Sequence, residues 1–244
     1  MKFLANTGFL FPELSFPDRI RAAAEAGFDG VEFHDEVQRH DSNAIADLLA
    51  ETGLLVGGLN IRMGTTAGCA AIPGAQNDFI ADILASQAAA EAVHSPAIHI
   101  LAGRGVTDRR IYVDNLRHAL DLTDRQILIE PICRAAMSDY HLNTLEDALD
   151  VYDLLGSSRV KIMFDWYHII AENSYDDAMS ALERHHEAIG HVQAASFPAR
   201  NEPDAAMIQQ TKTAGFTAIG LEYRPTMREK TALSRLRNPK NISS

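Results

Sequence analysis

The stretch Val160-Lys161-Ile162-Met163-Phe164-Asp165 is a strand-like, mostly apolar run that ends in a carboxylate. Three other runs in the second half of the chain have a similar form: Ile127-Leu128-Ile129-Glu130, Gly190-His191-Val192-Gln193 and Ala218-Ile219-Gly220-Leu221-Glu222. Their last residues lie 35 (130 to 165), 28 (165 to 193) and 29 (193 to 222) positions apart. A strand with its crossover helix takes roughly 30 residues. The spacing therefore predicts one oxygen-bearing side chain in each strand–helix unit.

A helix-like segment, a glycine and a short apolar strand also follow one another repeatedly. The pattern runs through residues 22–33, 49–59 and 212–221, with Gly27, Gly53 and Gly215 at the junctions. Glycine accepts the left-handed conformation that commonly ends a helix. This alternation of helices and strands favours a parallel sheet.

Eight strands are predicted, near residues 3–6, 29–34, 54–60, 97–102, 127–130, 160–165, 190–194 and 217–222. Helices are predicted near 17–26, 42–52, 76–94, 110–122, 144–155, 175–188 and 204–214, with a weak helix after the last strand. Eight such units close naturally into an α/β (β/α)8 TIM barrel, expected here as a single domain over residues 1–244. A doubly wound open sheet is the main alternative, but Asn6-Thr7-Gly8-Phe9-Leu10-Phe11 follows the first strand where a nucleotide-binding glycine motif would stand.

Composition narrows the classes of partner. The 244 residues carry a formal net charge of −11, which disfavours nucleic acid and anionic membranes because both require a cationic surface. The start of the chain turns polar too early for a signal peptide, and no apolar run approaches the roughly 20 residues of a membrane span. A cytoplasmic protein is therefore expected, in which Cys69 and Cys133 are reduced packing residues. The sequence leaves open whether the chain forms a homo-oligomer.

The C-terminal ends of barrel strands share one mouth, where such enzymes place their chemistry. Glu130, Asp165, Gln193 and Glu222 are expected to converge there. Each alone could be a surface residue or a helix cap. All four follow apolar segments that should be buried, however, so their polar groups would converge and would repel one another or lose hydration at a cost of several kcal/mol. A cation removes that cost. Oxygen donors suit a hard divalent metal ion, so Mg²⁺ or Mn²⁺ is predicted at this mouth.

Two histidines are candidates for supporting roles. His168 follows Asp165 by three residues, where it could point into the same mouth and hydrogen-bond a substrate oxygen. His191 shares its strand face with Gln193 and is expected one layer below the mouth, as support for the ligands rather than as a ligand.

Three further residues are candidates for substrate binding. Arg200 lies in the loop after the Gln193 strand, where a guanidinium could bind a carboxylate through two parallel hydrogen bonds. Asn60 ends the third predicted strand and His99 lies within the fourth, so both could line the barrel. A rim position exposed to solvent is the alternative for Arg200.

Six motifs carry a family resemblance in chain order: Phe3-Leu4-Ala5-Asn6, Ala26-Gly27-Phe28-Asp29-Gly30-Val31-Glu32-Phe33, Leu128-Ile129-Glu130-Pro131, Phe164-Asp165-Trp166-Tyr167-His168, Gly190-His191-Val192-Gln193 and Gly220-Leu221-Glu222-Tyr223-Arg224-Pro225. They resemble the hydroxypyruvate isomerase group of the xylose isomerase-like TIM barrels, a group that includes 2-oxo-tetronate isomerases. The motifs span residues 3–225. Sugar epimerases of this superfamily usually carry histidine where Gln193 stands.

The resemblance implies that Glu130, Asp165, Gln193 and Glu222 hold a divalent metal. It also implies that Glu130 and Glu222 act as the acid/base pair. The expected reaction interconverts an α-hydroxy ketone and an α-hydroxy aldehyde, so the expected partner is a small hydroxy-carbonyl acid. The chain departs from the group in its loops. Cys133 replaces an asparagine, Ser138-Asp139-Tyr140 replaces Pro-Gly-Tyr, Glu172-Asn173-Ser174 replaces Glu-Gly-Asp, and a Gly-Glu-x-Asn-Tyr segment after Pro203 is missing.

Three other functions are alternatives for this sequence. A sugar 3-epimerase or related lyase would use the same barrel, metal and enediolate. An endonuclease of the superfamily would need several metal ions, more histidine ligands and a basic groove, which the acidic composition disfavours. A catalytically inactive barrel acting as a binding protein would be consistent with the altered loops but not with an intact set of metal ligands.

Overall fold

The computed structural model describes residues 1–238 as a closed barrel of eight parallel strands. Each strand pairs with the next along the chain, and the eighth pairs with the first. The strands are β1 (Lys2–Asn6), β2 (Gly30–Phe33), β3 (Leu55–Asn60), β4 (Ala97–His99), β5 (Gln126–Ile129), β6 (Val160–Asp165), β7 (Ile189–Ala194) and β8 (Ala218–Leu221).

Helices connect the strands. Over residues 1–238 they are α1 (Phe16–Ala26), α2 (Ser42–Thr52), α3 (Gln76–Ala92), α4 (Arg109–Leu122), α5 (Leu145–Leu155), α6 (Trp166–Glu172), α7 (Tyr175–Arg184), α8 (Ala205–Thr213) and α9 (Glu229–Arg237). A short 3-10 helix, Val37–Arg39, precedes α2. None of the helices described here is both long and apolar enough to cross a membrane.

The barrel predicted from the sequence is confirmed, with two local corrections. The fourth strand ends at His99 rather than at residue 102, and α7 ends at Arg184 rather than at residue 188. Helix α6 was not predicted. It begins directly after β6 without a turn, because the side chain of Asp165 accepts a hydrogen bond from the backbone N–H of Tyr167 and so caps the new helix.

Strand alternation separates an outer and an inner apolar layer. Ile127 and Ile129 belong to the large buried cluster shared with the helices, whereas Leu128 between them packs with Ala97 and Met163. Since successive strand side chains point to opposite faces, this smaller cluster fills part of the barrel interior. Above it, the interior becomes polar towards the C-terminal ends of the strands.

Candidate active site at the C-terminal mouth

The four proposed metal ligands lie at the ends of four consecutive strands. Glu130 directly follows β5, Asp165 is the last residue of β6, Gln193 is the penultimate residue of β7, and Glu222 directly follows β8. Asp165 is paired in register with Gln193. Asp165 is fully buried, Glu130 and Gln193 are nearly so, and the Glu222 side chain is 12% exposed. The architecture thus brings all four to one end of the barrel.

A compact group of possible ligands lies within this set. Glu130, Asp165 and His168 each offer one ligand atom, and these atoms all lie within 4.8 Å of one another. Nε2 of His168 is 3.6 Å from Oδ2 of Asp165 and 4.0 Å from Oε1 of Glu130. Burial lowers the pKa of His168 to about 4, so the ring is neutral near pH 7. A neutral imidazole can accept a proton or a hydrogen bond at this place.

Arg200 is part of the same cluster. Its Nη2 donates to Oδ2 of Asp165 at 3.0 Å and makes a very short contact with Glu222, while Nη1 lies 3.2 Å from Nε2 of His168. The residue is 8% exposed. The alternative of a solvent-exposed rim arginine is therefore wrong for this loop residue, because its guanidinium is buried among carboxylates.

Two aromatic rings hold the Arg200 guanidinium from the sides. Its central carbon is 4.7 Å from the ring centre of Phe9 and 4.6 Å from that of Tyr167. The backbone of Arg200 has a φ of 55°, in the left-handed region that few non-glycine residues adopt. Such a strained residue persists only when its surroundings hold it. Cation–π contact and ion pairing together supply that restraint.

When all of them are ionised, the carboxylates carry more negative charge than Arg200 can balance. Burial, together with the charges of Glu222 and Asp165, raises the pKa of Glu130 well above its ordinary value. Burial also raises the pKa of Glu222 to about 8, against the opposing effect of Arg200. Three carboxylates that face a single guanidinium leave an excess that a divalent cation would neutralise.

The donor set also fits a hard metal ion. Oε1 of Gln193 is buried and has no hydrogen-bond partner among the described residues. An unpaired amide oxygen costs about 1–3 kcal/mol at a buried position, so a ligand that accepts its lone pair would stabilise it. With the oxygens of Glu130, Asp165 and Glu222, this atom would complete an all-oxygen set of the kind that Mg²⁺ and Mn²⁺ prefer.

His99 and Asn60 lie beside this cluster. Nδ1 of His99 is 3.1 Å from Oδ1 of Asn60. Its Nε2 has no hydrogen-bond partner within residues 1–238 and lies 3.6 Å from Oε2 of Glu130. Burial lowers the pKa of His99 to about 3. Since carboxamide oxygens only accept, the contact with Asn60 assigns the ring proton to Nδ1 and leaves Nε2 as a free acceptor facing the mouth.

Several residues of the site were not singled out from the sequence. Nδ2 of Asn6, at the end of β1, donates to Oε2 of Glu222 at 2.8 Å. Glu32, in the middle of β2, is buried and accepts from Nε2 of Gln193 at 2.8 Å. Its other oxygen makes a very short contact with His191, which lies below the mouth as expected. The sequence signal for Glu32 was a lone carboxylate inside the apolar strand Gly30-Val31-Glu32-Phe33.

Comparison with known proteins identifies the family of the chain. The profile of the Xylose isomerase-like TIM barrel family matches residues 20–207. The chain belongs to this family. A 2-oxo-tetronate isomerase from Cupriavidus necator is 33% identical over 92% of this chain and 93% of its own length. Hydroxypyruvate isomerase from Escherichia coli is 30% identical over 92% and 94%, respectively.

Structural comparison agrees with the family. The crystal structure of an AP endonuclease, family 2, from Brucella melitensis has a TM-score of 0.90 at 27% identity and covers 97% of this chain and 98% of its own. The family match and the named relatives confirm the resemblance to the hydroxypyruvate isomerase group. Together with the named relatives, it supports an isomerase on a TIM barrel.

The loops that depart from the family motifs make their own contacts around the mouth. Arg104 pairs with Asp139 at 2.9 Å, and Arg134 pairs with Glu172 at 2.5 Å. Sγ of Cys133, which stands where the family usually has asparagine, is 3.2 Å from Nδ1 of His168. The changed positions therefore lie both on the rim and against a residue of the central cluster.

Proposed function

We propose that the protein is a metal-dependent isomerase that interconverts a small α-hydroxy ketone acid and the corresponding α-hydroxy aldehyde. The substrates are of the hydroxypyruvate/tartronate semialdehyde or 2-oxo-tetronate type, and the reaction proceeds through an enediolate. The observation that carries the proposal is the buried group of three carboxylates around Arg200, beside the unpartnered oxygen of Gln193.

Glu130, Asp165, Gln193 and Glu222 would hold Mg²⁺ or Mn²⁺. When bound, such an ion polarises the substrate carbonyl and lowers the pKa of the neighbouring C–H group. The protein side chains bind and orient the substrate and transfer its protons.

Glu130 and Glu222 are the acid/base pair. One takes the proton from the hydroxyl-bearing carbon, which gives the enediolate, and the other mediates proton delivery to the neighbouring carbon. The hydroxyl proton passes to the former carbonyl oxygen in the same interconversion, so no proton is gained or lost overall. Burial and the nearby carboxylates raise the pKa of Glu130, and burial raises that of Glu222 to about 8, so both groups hold a proton more tightly than an exposed carboxylate does.

Arg200, His168, His99 and Asn60 would bind the substrate. Arg200 supplies the cation for the substrate carboxylate and is held in place by Phe9 and Tyr167. The unpartnered Nε2 of His99 and the Nε2 of His168 face the carboxylate cluster, where they can contact substrate oxygens.

The proposal can be tested by proton–deuterium exchange. Protein stripped of metal and then supplied with Mn²⁺ or Mg²⁺ is incubated in D₂O with hydroxypyruvate, with a 2-oxo-tetronate, and with a neutral ketohexose. We expect metal-dependent deuterium incorporation and isomerised product with an acid, both read by NMR. Metal-independent exchange, or epimerisation of the neutral sugar alone, would contradict the proposal.

A further inference from the structure

The two ends of the Gln193 side-chain amide have different environments. Nε2 donates to Oε2 of Glu32 at 2.8 Å, whereas Oε1 is buried without a partner among the described residues. The two ends have almost the same shape, so only hydrogen-bond partners decide which way an amide points. An ionised carboxylate accepts hydrogen bonds and cannot donate them, so Glu32 selects the nitrogen end.

Glu32 is itself held firmly inside the barrel. Its Oε1 makes a very short contact with Nε2 of His191, which lies two residues before Gln193 on the same face of β7. One glycine makes room for the carboxylate, because a Cβ on Gly220 would overlap both of its oxygens. A Cβ on Gly57 would overlap Cδ1 of Leu4 and would lie 3.3 Å from Cγ of Glu32. The absence of a side chain at Gly220 therefore leaves the space that the Glu32 carboxylate occupies.

A purely structural role does not account for this arrangement. A buried ion pair such as Glu32 with His191 costs desolvation energy and is often no more stable than apolar packing. The pair nevertheless lies directly beneath a residue whose oxygen is the only proposed ligand atom without charge. A hydrogen bond that Glu32 accepts from the amide nitrogen holds the amide oxygen on the opposite side before any cation binds, so the ligand needs no reorientation.

We propose that Glu32 is a positioning residue, which fixes the Gln193 amide with its nitrogen inward and its oxygen towards the metal ion. The inference rests on the proposed metal-dependent function. Glu32 touches neither metal nor substrate in this role and acts through Gln193, while His191 keeps the Glu32 carboxylate in place. Residues that orient a ligand in this way typically change metal affinity by about 10–100-fold when replaced.

The test is a double-mutant cycle read as Mn²⁺ affinity, measured by electron paramagnetic resonance of free Mn²⁺. Parent, Glu32→Gln, Gln193→Ala and the double variant are compared as full-length chains. Glutamine keeps the size of Glu32 but can face either end of the Gln193 amide, so Glu32→Gln should weaken Mn²⁺ binding about 10-fold or more. In the Gln193→Ala background the same change should alter affinity less than about twofold, because the amide it orients is gone.

The other outcomes distinguish a failure of the inference about Glu32 from a failure of the metal-dependent function. Parent-like affinity in Glu32→Gln would overturn the inference, and so would equal weakening in both backgrounds, which indicates a through-space effect of the lost charge. Glu36→Gln is the matched control, since Glu36 is also buried but pairs with Arg19. Failure of the parent to bind Mn²⁺ would instead overturn the metal-dependent function.

A second measurement needs no variant, in case Glu32→Gln does not fold. In a crystal structure of the Mn²⁺-loaded parent, one atom of the Gln193 amide should lie about 2.0–2.6 Å from the ion. The other should lie within about 3.2 Å of Glu32. A Gln193 amide that binds the ion but no longer makes a hydrogen bond with Glu32 would overturn the inference.

Discussion

The Arg200 guanidinium lies 3.0 Å from the Asp165 carboxylate, inside the group of side chains proposed to hold the metal. The positive charge of Arg200 therefore partly neutralises the carboxylates of this site. Because the same guanidinium is the proposed anchor for the substrate carboxylate, metal ligands and substrate anchor share one network. Replacing a member of this network should change more than one measured property.

For Arg200→Ala we expect KM for an acidic substrate to rise about 10-fold or more, since a hydrogen bond to a charged group contributes about 1.5–3 kcal/mol. KM for a neutral triose should hardly change. Turnover should fall for every substrate because Asp165 and Glu222 lose their partner, so the ratio of the two KM values is the measure. Lysine should restore binding only in part, since it lacks the planar fork.

The exposed Arg224 is the matched control for that experiment, and Arg224→Ala should leave both KM values unchanged. An Arg200→Ala variant that treats acidic and neutral substrates alike would show that another residue anchors the acid. A neutral-sugar isomerase or epimerase would then be the better assignment.

Glu130→Gln and Glu222→Gln should each lower turnover by about 10²-fold or more, because each variant loses a proton-transfer group. The measurement is steady-state kinetics at saturating Mn²⁺, so that weaker metal binding does not account for the loss. Glu36→Gln should keep parental turnover. Full activity in either of the first two variants would remove that residue from the acid/base pair.

Metal binding should stabilise the fold. At 100 times its dissociation constant, Mn²⁺ should add about 2.7 kcal/mol to the free energy of unfolding. For a chain of this size that corresponds to a rise in Tm of roughly 5–10 °C. Asp165→Asn should abolish most of this rise, while its side-chain oxygen can still cap α6. A thermal shift of parental size in Asp165→Asn would contradict the ligand assignment.

The Glu202 carboxylate should make stability pH-dependent. It accepts from the backbone N–H of Thr226 at 2.7 Å, from the Thr226 hydroxyl at 2.8 Å and from the backbone N–H of Met227 at 3.2 Å. Burial alone would raise the pKa of Glu202, but these hydrogen bonds outweigh it and lower the pKa. The stabilisation is therefore complete above the unfolded pKa of about 4.3 and is lost as pH falls through the lower folded pKa.

Glu202→Gln should consequently reduce the free energy of unfolding by about 1 kcal/mol at pH 7. The difference from the parent should shrink in urea titrations below about pH 4, where the carboxylate becomes protonated. A difference that is equal at both pH values would mean that the charge of Glu202 contributes nothing.

The ends of the strands could be predicted from the sequence because they follow local rules. An apolar run before Asp165 or Glu222 marks a buried strand, and the spacing of about one strand–helix unit predicts which ends share a mouth. Helix α6 was not predicted because Asp165 is both the last residue of β6 and the cap of the helix, so no turn residue separates the two elements. The fold could therefore be predicted from periodicity, and the main error of the prediction lay at the junction of β6 and α6.

Contacts across the barrel could not be predicted in the same way. Glu32 and Gln193 are 161 positions apart and meet only because the barrel closes. The pairing of Arg200 with Asp165 depends on a loop conformation with positive φ, which no pattern in the sequence specifies. Local patterns in the sequence predicted the residue types of the site, whereas the hydrogen bonds between these residues could be seen only in the structure.

The position of Glu32 beneath Gln193 also bears on how one barrel can exchange one kind of ligand for another. A histidine at position 193 could donate one ring N–H to the same carboxylate and leave its other nitrogen free for an ion. The space that Gly220 leaves for the Glu32 carboxylate would be unaffected by that change. An amide ligand and an imidazole ligand could therefore replace each other by a single substitution, over an interior that need not be rebuilt.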